Sequence, residues 1–148
     1  MHFLVGLTML VSATVTLAQL QKAPTVLVVD GETVTLKSVM WRDFMPTMPP
    51  VKNGQPLTAV LSVPSVVRIE EAWFIHGREV WKPVKLEEQD LKDPTLHNQP
   101  DSPVFRVIAR GGPKWGPEIR IDIVARVKDR NGRTYLIRAE KQGIGRVD

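Results

Sequence analysis

Cysteine is absent from all 148 residues. A disulfide framework, a thiolate zinc site, a cysteine nucleophile and a lipid-modified cysteine are therefore excluded, and the core must hold without covalent staples. Histidine is scarce, with three residues: His2 in the N-terminal apolar stretch, His76 at a predicted hairpin tip and His97 in a polar loop. The chain has no His-x-x-x-His pair, no serine in a nucleophile elbow and no glycine-rich phosphate loop. The neighbouring carboxylates Glu70-Glu71 and Glu87-Glu88 would point apart on a strand. The sequence therefore reads as a protein that is not an enzyme and carries no cofactor. Internal repeats, low-complexity segments and convincing helical periodicity are also missing.

What is present is β-pattern. From Trp115 to Ala139 the chain reads as two long strands joined by a tight turn. Ile119, Ile121, Ile123, Ala125 and Val127 alternate with Glu118, Arg120, Asp122, Arg126 and Lys128, the period of a strand with one buried and one wet face. A two-residue Asn131-Gly132 turn would set Ala125 opposite Arg138. A three-residue loop with Gly132 left-handed instead pairs Val127 with Tyr135, Ala125 with Ile137 and Ile123 with Ala139. That keeps the buried face apolar and is the expected register.

Further strands are expected at Thr25 to Val29, Thr33 to Phe44, Leu57 to Val63, Val66 to Ile75, Val80 to Leu86 and around Phe105 to Ala109. In the second of these, Val34 and Leu36 share one parity and Val39 and Trp41 the other, which predicts a bend near Lys37-Ser38. Phe44 to Pro56 carries four prolines and reads as an extended loop. Glu87 to Pro103 is the longest irregular connection, and the tail Lys141 to Asp148 offers little to bury. Frequent turns among seven to eight short strands predict an immunoglobulin-like β-sandwich of antiparallel strands.

Residues 1–18 read as a secretory signal peptide cut after Ala18, because Phe3 to Ala18 is apolar and ends in small residues. The basic residue usual near such a start is missing, so an uncleaved anchor is the second reading and a buried strand the third. Residues 19–148 then form one domain, secreted or periplasmic, touching a membrane only through an uncleaved leader. The net charge of +4 is uneven. Pro103 to Asp148 holds eleven Lys/Arg against five Asp/Glu, and the preceding part nine against eleven.

Three candidate surfaces follow. Gly111 to Pro117 is a glycine- and proline-stiffened loop in which Lys114 and Trp115 would contact a partner, unless Trp115 folds inward to cap the core. Arg106, Arg110, Arg120 and Arg126, with Arg138, have the parity to share one outward face suited to an envelope polyanion or glycan; nucleic acid is an implausible partner for an exported chain. Met40, Met45 and Met48 form the third, a thioether cluster of the kind that suits Cu(I).

Met45-Pro46-Thr47-Met48 resembles the Met-Pro-x-Met element of YtkA-like periplasmic domains, with Pro49 and Pro50 where a glycine and a histidine usually follow. Gly77-Arg78-Glu79-Val80-Trp81 resembles a hairpin of the BsuPI-type proteinase inhibitors. The leading expectation is an exported, non-catalytic immunoglobulin-like module of a bacterial-type envelope, acting through protein or glycan contacts. The alternatives are a protease inhibitor presenting Met45 to Pro56 or Gly111 to Pro117 as a rigid loop, and a copper-binding protein.

Overall fold

The computed structural model describes residues 15–89 and 103–148. Most of the expected leader and of the long polar connection therefore lies outside the described residues. The rest is all-β. A short helix α1 (Leu17–Gln21) precedes β1 (Leu27–Val29), β2 (Glu32–Val34), β3 (Lys37–Asp43), β4 (Leu57–Pro64), β5 (Val67–His76), β6 (Glu79–Trp81), β7 (Glu87–Glu88), β8 (Val104–Gly112), β9 (Arg120–Asp129) and β10 (Thr134–Val147). β1 and β2 form a two-stranded ribbon, and the other eight form one sheet in the order β6-β5-β9-β10-β3-β4-β8-β7.

The expectation of purely antiparallel strands is corrected by one pairing. β10 runs parallel to β3, with Ile144 opposite Met40 and Val147 opposite Asp43, so the sheet is mixed. It curls into a half-barrel. The core fills the concave side, where Leu57, Ala59 and Leu61 of β4, Ile123, Ala125 and Val127 of β9, and Ile137 of β10 are fully buried. The tail expected to bury little is part of this sheet: β10 continues to Val147, and Ile144 is buried in the core.

The central hairpin adopts the expected register, with Val127 opposite Tyr135, Ala125 opposite Ile137 and Ile123 opposite Ala139. The Asp129 N–H donates to the Arg133 carbonyl at 2.9 Å, closing a three-residue loop in which Gly132 has φ of +83°. Only glycine takes that conformation without strain. The Asp129 carboxylate organises the turn: Oδ1 accepts the N–H groups of Asn131 and Arg133, and Oδ2 accepts the Tyr135 hydroxyl at 3.0 Å. Burial opposes its charge. The Arg133 N–H, the Tyr135 hydroxyl, the Asn131 N–H and the Arg133 guanidinium outweigh that and hold the carboxyl below its ordinary range. The same hydrogen bond, then burial, raises the Tyr135 hydroxyl.

Two other expectations change. The strand expected at Thr33 to Phe44 breaks into β2 and β3, but inward parity does not switch. Val34, Leu36, Met40 and Arg42 are all buried, and Val39 is 64% exposed. On the outer side of the sheet, Trp73, Ile75 and Val124 form a second apolar cluster, covered by Leu20 and Ala23. Arg138 fastens this cover through its Nε, which donates to the Ala23 carbonyl at 3.0 Å, and its backbone N–H, which donates to the Pro24 carbonyl at 2.8 Å. Burying Leu20 contributes about 1.5–3 kcal/mol. No helix among the described residues is long and apolar enough to cross a membrane.

Deleting Asn131 leaves the hairpin either an unfavoured two-residue Arg130-Gly132 turn in the native register or a re-formed three-residue loop that slides Arg138 opposite Ala125, onto the core face. The expected outcome is loss of the cooperative thermal transition by circular dichroism; a retained transition would show that the register survives a two-residue turn. Acid gives a second check on the same turn. A carboxyl held low by the fold contributes fully above its unfolded pKa of about 3.9 and progressively less as pH falls through the lower folded value. Asp129→Asn should therefore flatten the decline of stability below about pH 4 in urea titrations run at stepped pH, and an unchanged acid limb would exclude this role.

Candidate functional site

Parity along β3 carries Arg42 into the interior, where its side chain is fully buried (0% exposed). Among the described residues, no carboxylate is a hydrogen-bond partner of Arg42. Its guanidinium donates to four backbone carbonyls: Nε to Gln55 at 3.0 Å, Nη1 to Lys114 at 3.0 Å and to Gly116 at 2.9 Å, and Nη2 to Asn53. Burial lowers its pKa from the ordinary value. The local sequence explains the arrangement. Phe44 to Pro56 holds four prolines and Gly111 to Pro117 two, so both loops carry more carbonyls than N–H groups. A guanidinium, with five donors and no acceptor, is the side chain that matches such an excess.

Arg42 thereby ties the two loops together at one end of the half-barrel, and further bonds lock the first of them. The Gln55 N–H donates to the Asp43 carbonyl at 2.7 Å, closing the loop at its feet. The Met45 N–H donates to Asp43 Oδ1 at 2.8 Å, and the Thr47 hydroxyl to the Pro49 carbonyl at 2.8 Å. Lys114 Nζ donates to the Lys52 carbonyl at 2.6 Å. Gly54, at φ of +69°, lets the Phe44 ring pass so close that a Cβ there would sit 2.6 Å from it. The same ring receives the Arg42 guanidinium at 4.8 Å and that of Arg146 at 4.2 Å, a favourable cation–π geometry.

This bolted loop presents apolar side chains to solvent. Met48 is 95% exposed, Met45 52% and Val51 42%. It is the candidate contact surface.

The residues expected to form contact sites are placed differently. Trp115 takes the inward alternative: it is 8% exposed, its indole N–H donates to Glu79 Oε2 at 2.8 Å, and His76 packs edge-on to it at 5.4 Å. Lys114 spends its ammonium on Lys52. Gly111 to Pro117 is thus the buttress of the neighbouring loop, and Trp115 is its root.

The arginine face is not assembled. Arg106 and Arg110 lie on β8, Arg120 and Arg126 on β9, and β10, β3 and β4 run between those strands. Four strand spacings amount to about 19 Å along the sheet. Several of these charges are already paired: Arg110 with Glu87 at 3.3 Å, Arg126 with Glu71 at 2.8 Å, and Arg138 with Glu140. The methionine cluster is not assembled either, because Met40 is in the core at 4% exposure while Met48 stands in solvent. A thioether triad would require pulling Met40 out of its strand. Among the described residues no three His, Asp or Glu side chains converge as a metal site.

A cleft lies elsewhere on the sheet. It is about 370 Å³, lies beside Ile69, Leu86, Phe105 and Val107, and is bridged by an exposed Arg68–Glu88 pair at 3.0 Å. Compared with known protein families, curated proteins and solved structures, the chain matches none.

Sequence reading missed Arg42. The usable signal was its parity, shared with Val34, Leu36 and Met40, together with the shortage of N–H donors in the two loops. Arg42→Met removes the donor from four backbone carbonyls, and each one kept from water costs about 1–3 kcal/mol when left unpaired. The expected outcome is a loss of at least about 3 kcal/mol by urea unfolding, with amides of residues 52–55 exchanging faster. Arg42→Lys keeps the charge but not the fork, so it should recover only part of both. A neutral Arg42→Met would show that the cage contributes nothing.

Proposed function

We propose that this chain is an exported, non-catalytic immunoglobulin-like module of a bacterial-type cell envelope that binds a partner protein through the Met45–Val51 loop. The immunoglobulin-like assignment is supported by strand order. The run β3-β4-β8-β7 and the run β6-β5-β9-β10 correspond to the A-B-E-D and C′-C-F-G sheets of that architecture. The C-terminal part of β10 joins the two.

The observation that carries the binding role is the combination of an exposed Met48 with a loop held at both feet and from beneath. Exposed apolar side chains on a pre-ordered backbone bind at low entropic cost, and buried anchors dominate interface energies. A second reading, protease inhibition by a rigid loop, is favoured by one contact. The Thr47 hydroxyl and Pro49 carbonyl hold the backbone on both sides of Met48. A glycan or polyanion partner draws less support, since the arginines that would serve it are dispersed and partly paired.

A photo-crosslinking residue placed at position 48 in the full chain, exposed to envelope extract, tests the proposal. A control crosslinker at position 131 reports the opposite end of the half-barrel. A discrete adduct from position 48 and none from 131 is the expected result. Adducts from 131 alone would move the interaction to the other end and overturn the assignment.

A further inference from the structure

We propose that the exported chain keeps Val15 to Ala23 as a structural strap, and that its leader is not removed at the bond after Ala18. This rests on the export reading above, and it assigns to the folded domain a segment that the sequence pattern places in the leader.

Thr16-Leu17-Ala18-Gln19 is the stretch in question. Its small residue at Ala18 fits a cleavage pattern, and its Thr-x-x-Gln spacing fits the start of a helix equally well. In the fold it is a helix start. The Gln19 N–H donates to Thr16 Oγ1 at 3.2 Å, and the Thr16 N–H donates to Gln19 Oε1 at 2.8 Å. The two halves of this reciprocal cap lie on opposite sides of the bond after Ala18. Two backbone bonds cross it as well: the Leu20 N–H donates to the Thr16 carbonyl at 3.1 Å and the Lys22 N–H to the Ala18 carbonyl at 3.2 Å. A cut after Ala18 removes both acceptors and the N-cap. Only Gln19, Leu20 and Gln21 of α1 would remain, too few to propagate a helical turn.

What α1 covers shows why the fold needs it. Trp73, Ile75 and Val124 are buried on the outer side of β5 and β9, with Leu20 and Ala23 among them and Val15 and Leu17 packed around them. The strap has two fastenings. At its far end Arg138 holds the Ala23 and Pro24 carbonyls. At its near end the cap and the Val15 and Leu17 side chains hold it.

A chain that began at Gln19 would lose the near fastening. It would also set a charged α-amino group one residue before Leu20, which is 2% exposed, and a charge beside an apolar cluster is unfavourable. With Leu20 no longer held in place, an aromatic patch opens on the outer sheet face. A second small-residue pattern lies upstream at Val11-Ser12-Ala13, and a cut there leaves the strap whole.

The test expresses the full chain from Met1 in a bacterial host, recovers it from the cell envelope and reads its intact mass and N-terminal residues. An N-terminus at or before Val15 is expected, Thr14 being the product of a cut after Ala13. A recovered chain that begins at Gln19 overturns the proposal.

Two substitutions in the full chain put the same question to the fold. Thr16→Ala should lower the folding equilibrium constant about 5-fold in urea unfolding, the weight of a lost N-cap, with the Leu20 and Lys22 amides exchanging faster. Leu17→Ser should act in the same direction. Unchanged stability and exchange in both variants overturn the proposal as well. A chain found uncut inside the cell removes the export reading alone, and the two variants then decide the strap.

Discussion

A single buried guanidinium holds together the loop-bearing end of this protein. Taking a charge out of water is costly, and replacing a buried ion pair with apolar side chains is often neutral or favourable. Arg42 has no such easy replacement, because its partners are four main-chain carbonyls, which no substitution at position 42 removes. Those carbonyls exist because two proline-rich loops turn inward with too few N–H groups to satisfy them. The arginine and the loops are therefore one unit: the prolines create the acceptors, and the arginine supplies the donors. Among the described residues no buried side-chain nitrogen or oxygen lacks a partner, so the arrangement closes.

The rest of the fold brings the three parts of that unit together. β10 is the key strand, because its first part pairs with β9 and its last part runs beside β3. Between the two lies a bulge from Ala139 to Gln142, where Lys141 adopts φ of +51° and its N–H is held by Asp122 Oδ1 at 3.0 Å; β10 stays on β9 through Gly143 and joins β3 from Ile144. Bulges increase local twist and re-aim a strand, and here the bulge lets one strand serve both sides of the half-barrel. The Phe44 N–H then donates to the Val147 carbonyl at 2.7 Å, so the C-terminal tail fixes the start of the presented loop.

What the sequence revealed follows from how local each feature is. The central hairpin was legible to the residue, since its apolar alternation and the Asn131-Gly132 turn admit one register that avoids burying Arg138. The parallel β3–β10 pairing was not, because it joins residues about a hundred positions apart and leaves no local pattern. Lys141 to Asp148 looked dispensable through its glycines and charges, although Ile144 alone marks it as a core strand. Parity in β3 was misjudged for a physical reason: Val39 and Trp41 are more hydrophobic than Arg42, but the carbonyl cage outweighs side-chain hydropathy at that position. The arginines shared a parity but not a neighbourhood, since parity fixes a face and says nothing of which strands adjoin. Trp115 sat in a loop whose composition fits either exposure or burial, and only the Glu79 carboxylate, reached through the β5–β6 turn, decides between them.

The same logic separates support from surface. A loop becomes a binding element when its own backbone needs are met from behind, leaving its side chains free in front. Gly111 to Pro117 fails that condition, because Lys114 and Trp115 are both spent on neighbouring groups. Met45 to Val51 meets it: its backbone is held by Asp43 and Thr47 and, through residues 52–55, by Lys114 and Arg42, while Met48 faces water with no apolar neighbour required by the fold. Exposing a methionine contributes nothing to stability, and fixing the backbone beneath it costs conformational entropy. A chain concerned with stability alone would shorten this loop. Thirteen residues from Phe44 to Pro56, braced at several points, fit the contact proposed for this loop, since binding residues are more often carried on loops than on the sheet beneath them.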